Sequence, residues 1–305
     1  MTTPEIVVEP VRFPSGPAEL VGCLFRPTGV ERPPVAIVTG AWMTVKEQMP
    51  ERYAREMAAR GLAALTFDFT GWGESGGDRR QFEDPSAKIA DIGAAAAFLA
   101  GRTDVGPIGG LGVCASSGYM VHAASGKDAG GIIRSVALTA PWLHDAEVVR
   151  DIYGSADAVR ALIARGEAAE RDYRSTGRQV LAPAASLDDP SAVMGAAPYY
   201  TEPDRGLIPE WRNEADLAFW PGWLGFDAIS VADRFSKPFL MVESEAAAAP
   251  QGARAFFGRL ERNGRSISAH EVWLDDVSQF DFYDRDEPVR RAADEVAAHF
   301  RRTLA

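Results

Sequence analysis

The most informative segment of the sequence is Gly110-Leu111-Gly112-Val113-Cys114-Ala115-Ser116-Ser117-Gly118-Tyr119. The apolar run Ile108 to Val113 predicts a buried strand, and a helical stretch follows it without a connecting loop. Cys114 therefore lies at a sharp strand-to-helix turn, where the strained backbone requires small residues two positions away on either side. Gly112 and Ser116 meet this requirement. Because the helix directs its free N–H groups and its dipole at the sulfur, we expect a lowered pKa for the Cys114 thiol and a place to stabilise an oxyanion.

Two other interpretations of this turn stay open. Ser116 is a candidate nucleophile if Cys114 and Gly118 are its small neighbours, although the turn then falls two residues into the helix. Alternatively, Cys114 is a small hydrophobic residue buried at the end of a strand. The rest of the sequence has to decide between them.

Strands and helices alternate on both sides of the turn. The continuous apolar run Val35–Gly40 is typical of a strand that is buried on both faces. Further strands are predicted at Leu62–Asp68, Ile132–Leu138, Pro238–Val242 and Ser266–Val272. Helical patterns lie between or after them, at Glu51–Arg60, Ala87–Gly101 and Pro288–Leu304. The alternation predicts an α/β protein with a mostly parallel sheet and helices on both faces. Two strand-like runs around a Pro-Ser-Gly-Pro turn, at Ile6–Val8 and Ala18–Phe25, add an antiparallel N-terminal hairpin.

The alternation stops in the middle of the chain. Residues 144–235 combine helical and loop signals with many aromatic residues, and strands resume after them. We therefore predict a core domain formed by residues 1–143 and 236–305, interrupted by a helical lid insertion at 144–235.

Composition excludes several classes of protein. The chain has 305 residues and a net charge of −11, which disfavours binding to nucleic acid or to an anionic membrane. Two cysteines and four dispersed histidines exclude a disulfide scaffold and give no metal-ligand spacing. The sequence indicates no signal peptide, no membrane span, no metal and no organic cofactor. We expect a cytoplasmic protein whose partner is a small-molecule substrate, and we leave open whether it is a monomer or a homo-oligomer.

Five segments resemble the α/β-hydrolase superfamily in their order and spacing. They are Val45–Met49, Phe67–Gly77, Arg80–Pro85, Gly112–Ser116 and Phe280–Asp284. The chain looks most similar to the bacterial branch near the dienelactone hydrolases and X-Pro-peptidase-like hydrolases that carry cysteine at the nucleophile elbow.

This resemblance implies a sheet of about eight strands and an acyl-transfer pocket beneath a helical lid. It implies that Cys114 is the nucleophile and that the N–H of Ala115 is one donor of the oxyanion hole. The second donor then follows the first parallel strand, where it is the N–H of either Ala41 or Trp42.

The sequence departs from the family pattern at the other two catalytic positions. The acid is expected within Glu243–Pro250, where alanine, at Ala246, takes its place and Glu245 is the available substitute. The histidine of related hydrolases is replaced by Gln279, which cannot accept a proton at physiological pH but can hold a substrate carbonyl or orient a water.

One histidine is a candidate replacement base. His144 follows the strand Ile132–Leu138 at the sheet edge where active sites of open α/β sheets lie, and Asp145 is the candidate that steers it. Its alternative is a structural histidine bonded to backbone.

Other residues are candidates for contacting a substrate. We expect Trp72, Trp142 and Trp211, with Ser116 beside the elbow, to line the pocket.

The sequence thus favours an enzyme that acts on an ester or thioester through Cys114 and a backbone oxyanion hole. Without a histidine, deacylation by water is difficult, because water needs a base. Slow hydrolysis, thioesterase activity and acyl transfer to a better nucleophile therefore all fit. A lyase, cyclase or isomerase that stabilises an enolate and a non-catalytic binding protein are the alternatives.

Overall fold

A computed structural model describes residues 4–195 and 197–305. The described residues form ten strands: β1 (Ile6–Ser15), β2 (Ala18–Pro27), β3 (Val35–Thr39), β4 (Ala63–Phe67), β5 (Ile108–Val113), β6 (Ile133–Thr139), β7 (Leu181–Ala182), β8 (Ala215–Asp216), β9 (Phe239–Ser244) and β10 (Ala269–Leu274). They also form ten α-helices: α1 (Met49–Ala59), α2 (Pro85–Ala100), α3 (Ser116–Ser125), α4 (Ala146–Tyr153), α5 (Ala156–Thr176), α6 (Pro198–Thr201), α7 (Trp220–Leu224), α8 (Pro250–Arg262), α9 (Asp281–Asp284) and α10 (Asp286–Thr303).

Eight of the strands form one sheet in the order β1-β2-β4-β3-β5-β6-β9-β10. In this sheet, strand β2 runs antiparallel to both of its neighbours, and every other pair of adjacent strands is parallel. The carboxyl ends of β3, β5, β6 and β9 therefore lie side by side at one edge of the sheet. The predicted fold class, a mostly parallel sheet of about eight strands with an N-terminal hairpin, is confirmed.

Helices cover both faces of the sheet because side chains alternate along the strands. A Cβ added at Gly109 would meet Phe300 of α10, whereas one added at Gly110 would meet Met120 of α3. Helices α1 and α10 therefore share one face, and α2 and α3 pack together on the other. Strand β5, which ends at Cys114, is buried between the two layers.

The segment between β6 and β9 contains α4 to α7 and the small sheet of β7 and β8. Arg79, from the loop before α2, fastens this segment to the core. Its guanidinium lies between the rings of Phe82 and Tyr173, and it bonds to Glu170 at 2.6 Å and to Asp216 at 2.7 Å. The end of the segment packs on the core as well, since Gly118 of α3 lies directly against Phe226 and Ala228.

Several predicted boundaries were wrong by a few residues. The strand predicted over Ser266–Val272 is instead β10, which begins at Ala269 and extends to Leu274, because its parallel register with β9 continues as far as Ser244. Within residues 4–195 and 197–305 we find no transmembrane helix, since each helix is too short or too polar to span a bilayer.

The turn after β5 has the strained geometry that the sequence predicts. Cys114 has a φ of 57°, in the left-handed region, and helix α3 begins two residues later. A Cβ at Gly112 would lie 2.8 Å from the Cα and 3.0 Å from the nitrogen of Ser117. These are backbone atoms, which cannot rotate away, so the turn closes only if residue 112 has no side chain.

We expect Gly112→Ala to lower the free energy of unfolding by about 1–3 kcal/mol, because the new methyl group overpacks the turn. Gly131→Ala is the matched control, since its Cβ would meet nothing within 4 Å. It should change the free energy by less than about 0.5 kcal/mol. Urea unfolding followed by tryptophan fluorescence measures both variants, and equal stability of the two would contradict this account of the turn.

Candidate active site

Four connections meet at the carboxyl edge of the sheet. They are the turn at Cys114, the loop after β3, the loop after β6, and the loop after β9 with the nearby helix α9. In open α/β sheets, this edge is where ligands bind. Cys114 lies at the centre of the group because β5 is a central strand.

Three groups close to the sulfur of Cys114 stabilise its thiolate. Two are the backbone N–H groups of Ala115 and Trp42, and the third is the hydroxyl of Tyr283. The N–H of Ala41 is directed elsewhere, to the sulfur of Met49 at 3.5 Å. Of the two N–H groups that the sequence left open, that of Trp42 is therefore the one beside the sulfur.

An ion cluster holds the loop that carries Trp42. The ammonium of Lys46 lies 2.6 Å from Glu47, 2.9 Å from Asp68 and 2.6 Å from Glu74, and its backbone N–H donates to Asp68 at 2.8 Å. Burial alone would lower the pKa of Lys46, but the three carboxylates outweigh it and hold the pKa above its usual range. The carboxylates are close enough to one another for a metal site, and Lys46 supplies the cation between them.

Gln279 bonds through its amide to the loop after β6, to the loop after β9 and to helix α9. Its Oε1 accepts the N–H of Ala248 at 3.0 Å, and its Nε2 donates to the carbonyl of Ala140 at 2.9 Å. The same Nε2 donates to the hydroxyl of Tyr283 at 3.0 Å. Gln279 therefore positions Tyr283 beside the sulfur.

Burial controls the ionisation of the site. Desolvation raises the pKa of Cys114 to about 11, although Tyr283, Ala115 and Trp42 all stabilise the thiolate. The expected lowering of this pKa was wrong, because two backbone donors and one hydroxyl do not offset the burial of the sulfur. Burial also raises the pKa of Tyr283 well above its usual value. Both groups are neutral at pH 7.

The sulfur opens onto a cavity of about 260 Å³. Its walls combine residues of the core with residues of the segment between β6 and β9: Trp42, Cys114, Ala115, Trp142, Ile152, Tyr153, Val193, Met194, Gly195, Ala197, Tyr200, Trp223, Ala248, Gln279, Phe280 and Tyr283. None of these described wall residues carries a charged side chain. The cavity thus fits an uncharged, largely apolar group next to the sulfur.

Comparisons with known proteins agree with this architecture. No family model matches the chain. The uncharacterized protein YcjY of Escherichia coli K12 is 26% identical over 277 residues, covering 85% of each chain. PA2218 of Pseudomonas aeruginosa is 36% identical over 97 residues, which are 31% of this chain and 26% of that protein.

Solved structures match over almost the whole chain. The crystal structure of PA2218 has a TM-score of 0.77 at 21% identity and covers 98% of this chain and 94% of that chain. The alpha/beta hydrolase GrgF of Penicillium sp. sh18 has a TM-score of 0.78 at 18% identity, with coverage of 98% and 99%. The chain has the α/β-hydrolase fold. A dienelactone hydrolase of Anabaena variabilis matches at a lower TM-score of 0.57 and 12% identity, with complete coverage of both chains.

Within this α/β-hydrolase fold, the structure separates the predicted wall residues. Trp142 lines the cavity. Trp211 lies behind the wall, where it packs on Tyr200 and donates its indole N–H to the carbonyl of Met43 at 2.7 Å. Trp72 is buried beneath Lys88, away from the cavity, so its expected substrate contact was wrong.

Ser116 does not face the cavity either. Its hydroxyl is completely buried and donates to the carbonyl of Val113 at 3.1 Å, so it closes the elbow turn. This placement contradicts both its expected substrate contact and its alternative role as the nucleophile.

His144 is not placed to act as a base. Its Nδ1 accepts the indole N–H of Trp142 at 2.9 Å, and its Nε2 therefore donates to the carbonyl of Trp223, also at 2.9 Å. Burial lowers the pKa of His144 and keeps it neutral. Asp145 does not steer it, because its carboxylate caps helix α4. The catalytic role predicted for His144 was wrong, and the residue instead fixes two tryptophans of the cavity wall.

Glu245 also lies outside the site. Its side chain is 63% exposed and pairs with Arg254, so it cannot stand in for the missing acid. Glu243, two residues earlier, was not predicted as a site residue. It is completely buried because β9 continues past Val242. Burial raises the pKa of Glu243 to about 8, against the hydrogen bond from the Ser244 N–H.

Tyr283 is the other functional residue that sequence reasoning missed. It lies four residues after Gln279, one helical turn away, so both side chains reach the same side. The spacing of four residues between Gln279 and Tyr283 is present in the sequence, but only Gln279 was predicted, because it replaces the histidine of related hydrolases.

The ionisation of Cys114 predicts how its alkylation depends on pH. Because its pKa is about 11, only about one thiol in 10⁴ is ionised at pH 7, and the rate of iodoacetamide alkylation should rise about tenfold per pH unit from pH 7 to 10. A Cys23→Ala background leaves Cys114 as the only thiol, and the same protein unfolded in urea is the control with an ordinary pKa. A rate that levels off below pH 9 in the folded protein would contradict the desolvated site.

Proposed function

We propose that this protein is an acyl-transfer enzyme that acts on esters or thioesters of uncharged, apolar acyl groups. Cys114 is the nucleophile, and the N–H groups of Trp42 and Ala115 stabilise the oxyanion. The observation that carries the proposal is the convergence of these two N–H groups on one sulfur at the wall of an apolar cavity.

The reaction begins with attack of the Cys114 sulfur on the substrate carbonyl carbon. Negative charge then develops on the carbonyl oxygen, where preorganised backbone donors in a water-poor site are most effective. The ion cluster around Lys46 supports the donor loop, so Trp42 needs no rearrangement when the charge appears.

The cavity favours acyl transfer over the enolate chemistry of a lyase or isomerase. Enolate formation needs a base next to the α-carbon of the substrate. Apart from Cys114, the described wall residues with polar side chains are Gln279, tyrosines and tryptophans, and none of these is a base that can take up and keep a substrate proton at neutral pH. A covalent route through the sulfur uses the one reactive group that the cavity offers.

The test is mass spectrometry of the protein after reaction with p-nitrophenyl hexanoate. We expect a hexanoyl adduct on the peptide that contains Cys114, and we expect Cys114→Ala to lose both the adduct and the turnover. Cys23→Ala is the matched control, since Cys23 is a half-buried thiol on β2 and should keep both. No adduct, together with unchanged turnover in Cys114→Ala, would refute the proposal. Binding without any turnover would favour a non-catalytic binding protein.

The same assay tests the substrate class with an ester of equal length. The mono-p-nitrophenyl ester of adipic acid places a carboxylate where hexanoate has a methyl group. Burying this charge without a partner costs several kcal/mol, so we expect kcat/KM to fall by about 100-fold or more. Equal kcat/KM values would contradict an uncharged acyl pocket.

A further inference from the structure

The amide of Gln279 can have only one orientation. Its oxygen faces the N–H of Ala248, which can only donate, and its nitrogen faces the carbonyl of Ala140, which can only accept. Two backbone groups of opposite polarity therefore assign the amide without any reference to Tyr283. The amide nitrogen lies 3.0 Å from the hydroxyl oxygen of Tyr283 and donates its second N–H to it.

This orientation limits the bonds that the Tyr283 hydroxyl can make. One lone pair of its oxygen accepts from Gln279, so its proton and its second lone pair are left for its other surroundings, the cavity and the thiol of Cys114. A hydroxyl has two lone pairs and one proton, and the second lone pair stays free for a proton from the thiol. Tyr283 is thus bonded so that it can give one proton and take another.

We propose that Tyr283 is a catalytic proton relay between Cys114 and the group that leaves or attacks the acyl carbon, and that Gln279 is the positioning residue that sets its direction. This inference rests on the proposed acyl transfer. It gives the site a proton pathway although Gln279 itself cannot accept a proton.

The acylation step balances as a proton exchange. The sulfur of Cys114 forms a bond to the acyl carbon, and the bond from that carbon to the leaving oxygen or sulfur breaks. The thiol proton moves to the Tyr283 oxygen while the Tyr283 proton moves to the leaving atom. The products are the Cys114 thioester and a neutral alcohol or thiol.

Deacylation runs the same exchange in reverse. Water or an alcohol attacks the thioester, its proton moves to the Tyr283 oxygen, and the former Tyr283 proton returns to the departing sulfur. Tyr283 is never required to hold a full negative charge, which suits its buried position.

If Tyr283 is a proton relay, its loss should lower kcat/KM most for substrates whose leaving group needs a proton. A p-nitrophenolate leaves without a proton, whereas an alkoxide leaves only when it is protonated. With p-nitrophenyl hexanoate and ethyl hexanoate, which share one acyl group, kcat/KM reports the acylation step for each substrate. In Tyr283→Phe, both substrates lose the acceptor of the thiol proton, and only the ethyl ester also loses the proton for its leaving oxygen, so we expect its kcat/KM to fall by about 10²-fold more than that of the nitrophenyl ester.

Gln279→Glu tests the positioning role with almost no change of shape. A carboxylate at this position still accepts from Ala248, but it cannot donate to Ala140 or Tyr283 and instead attracts the Tyr283 proton away from the leaving atom. The same unequal loss is therefore expected. Tyr200→Phe is the control, because it removes the hydroxyl of another cavity tyrosine and should change both substrates by one common factor.

The outcomes separate this inference from the proposed function. If Tyr283→Phe still forms the Cys114 adduct with p-nitrophenyl hexanoate but slows both substrates equally, the relay is wrong and acyl transfer stands. In that case Tyr283 acts as a third oxyanion donor or a wall residue. If the wild-type protein forms no adduct, the proposed function fails and the relay fails with it. Urea unfolding of each variant identifies any loss that is due to instability.

Discussion

The site depends on the left-handed backbone of Cys114. This conformation costs a non-glycine residue about 1–2 kcal/mol. It is maintained because β5 ends directly before Cys114 and α3 begins two residues after it. The kink turns the sulfur toward the carboxyl edge of the sheet and brings it under the N–H of Ala115. Gly112 makes the kink sterically feasible, since any side chain there would collide with the backbone of Ser117.

The second determinant is the balance between burial and hydrogen bonding at the sulfur. A rise in the Cys114 pKa from 9.0 to about 11 corresponds to about 3 kcal/mol in favour of the thiol. Three donors reduce this penalty but do not reverse it. A helix N-terminus alone is thus a poor guide to thiol reactivity when the surroundings exclude water. In the acyl transfer that we propose, a proton must then move along with the sulfur, and Tyr283, held by Gln279, lies at the cavity where this transfer is needed.

The sequence predicts the fold well because the relevant signals are local. Strands buried on both faces appear as continuous apolar runs, and the elbow requires small residues at fixed positions, so Cys114 and its parallel sheet could be predicted. The environment of the site could not be predicted in the same way. The thiol pKa depends on walls from residues 142–223, and the state of His144 depends on the carbonyl of Trp223, 79 positions away. The predicted strand ended two residues before β9 does, so nothing in the sequence indicated that Glu243 is buried while Glu245 is exposed.

In the proposed reaction, an acyl group bonded to Cys114 places its carbonyl oxygen between two backbone donors. A crystal structure of the hexanoyl enzyme would show where this oxygen lies. We expect a thioester on the sulfur, with its oxygen about 3 Å from the nitrogens of Trp42 and Ala115 and its chain in the apolar cavity. An acyl oxygen that points away from both nitrogens, or a Cys114 backbone that has left the left-handed region, would contradict it.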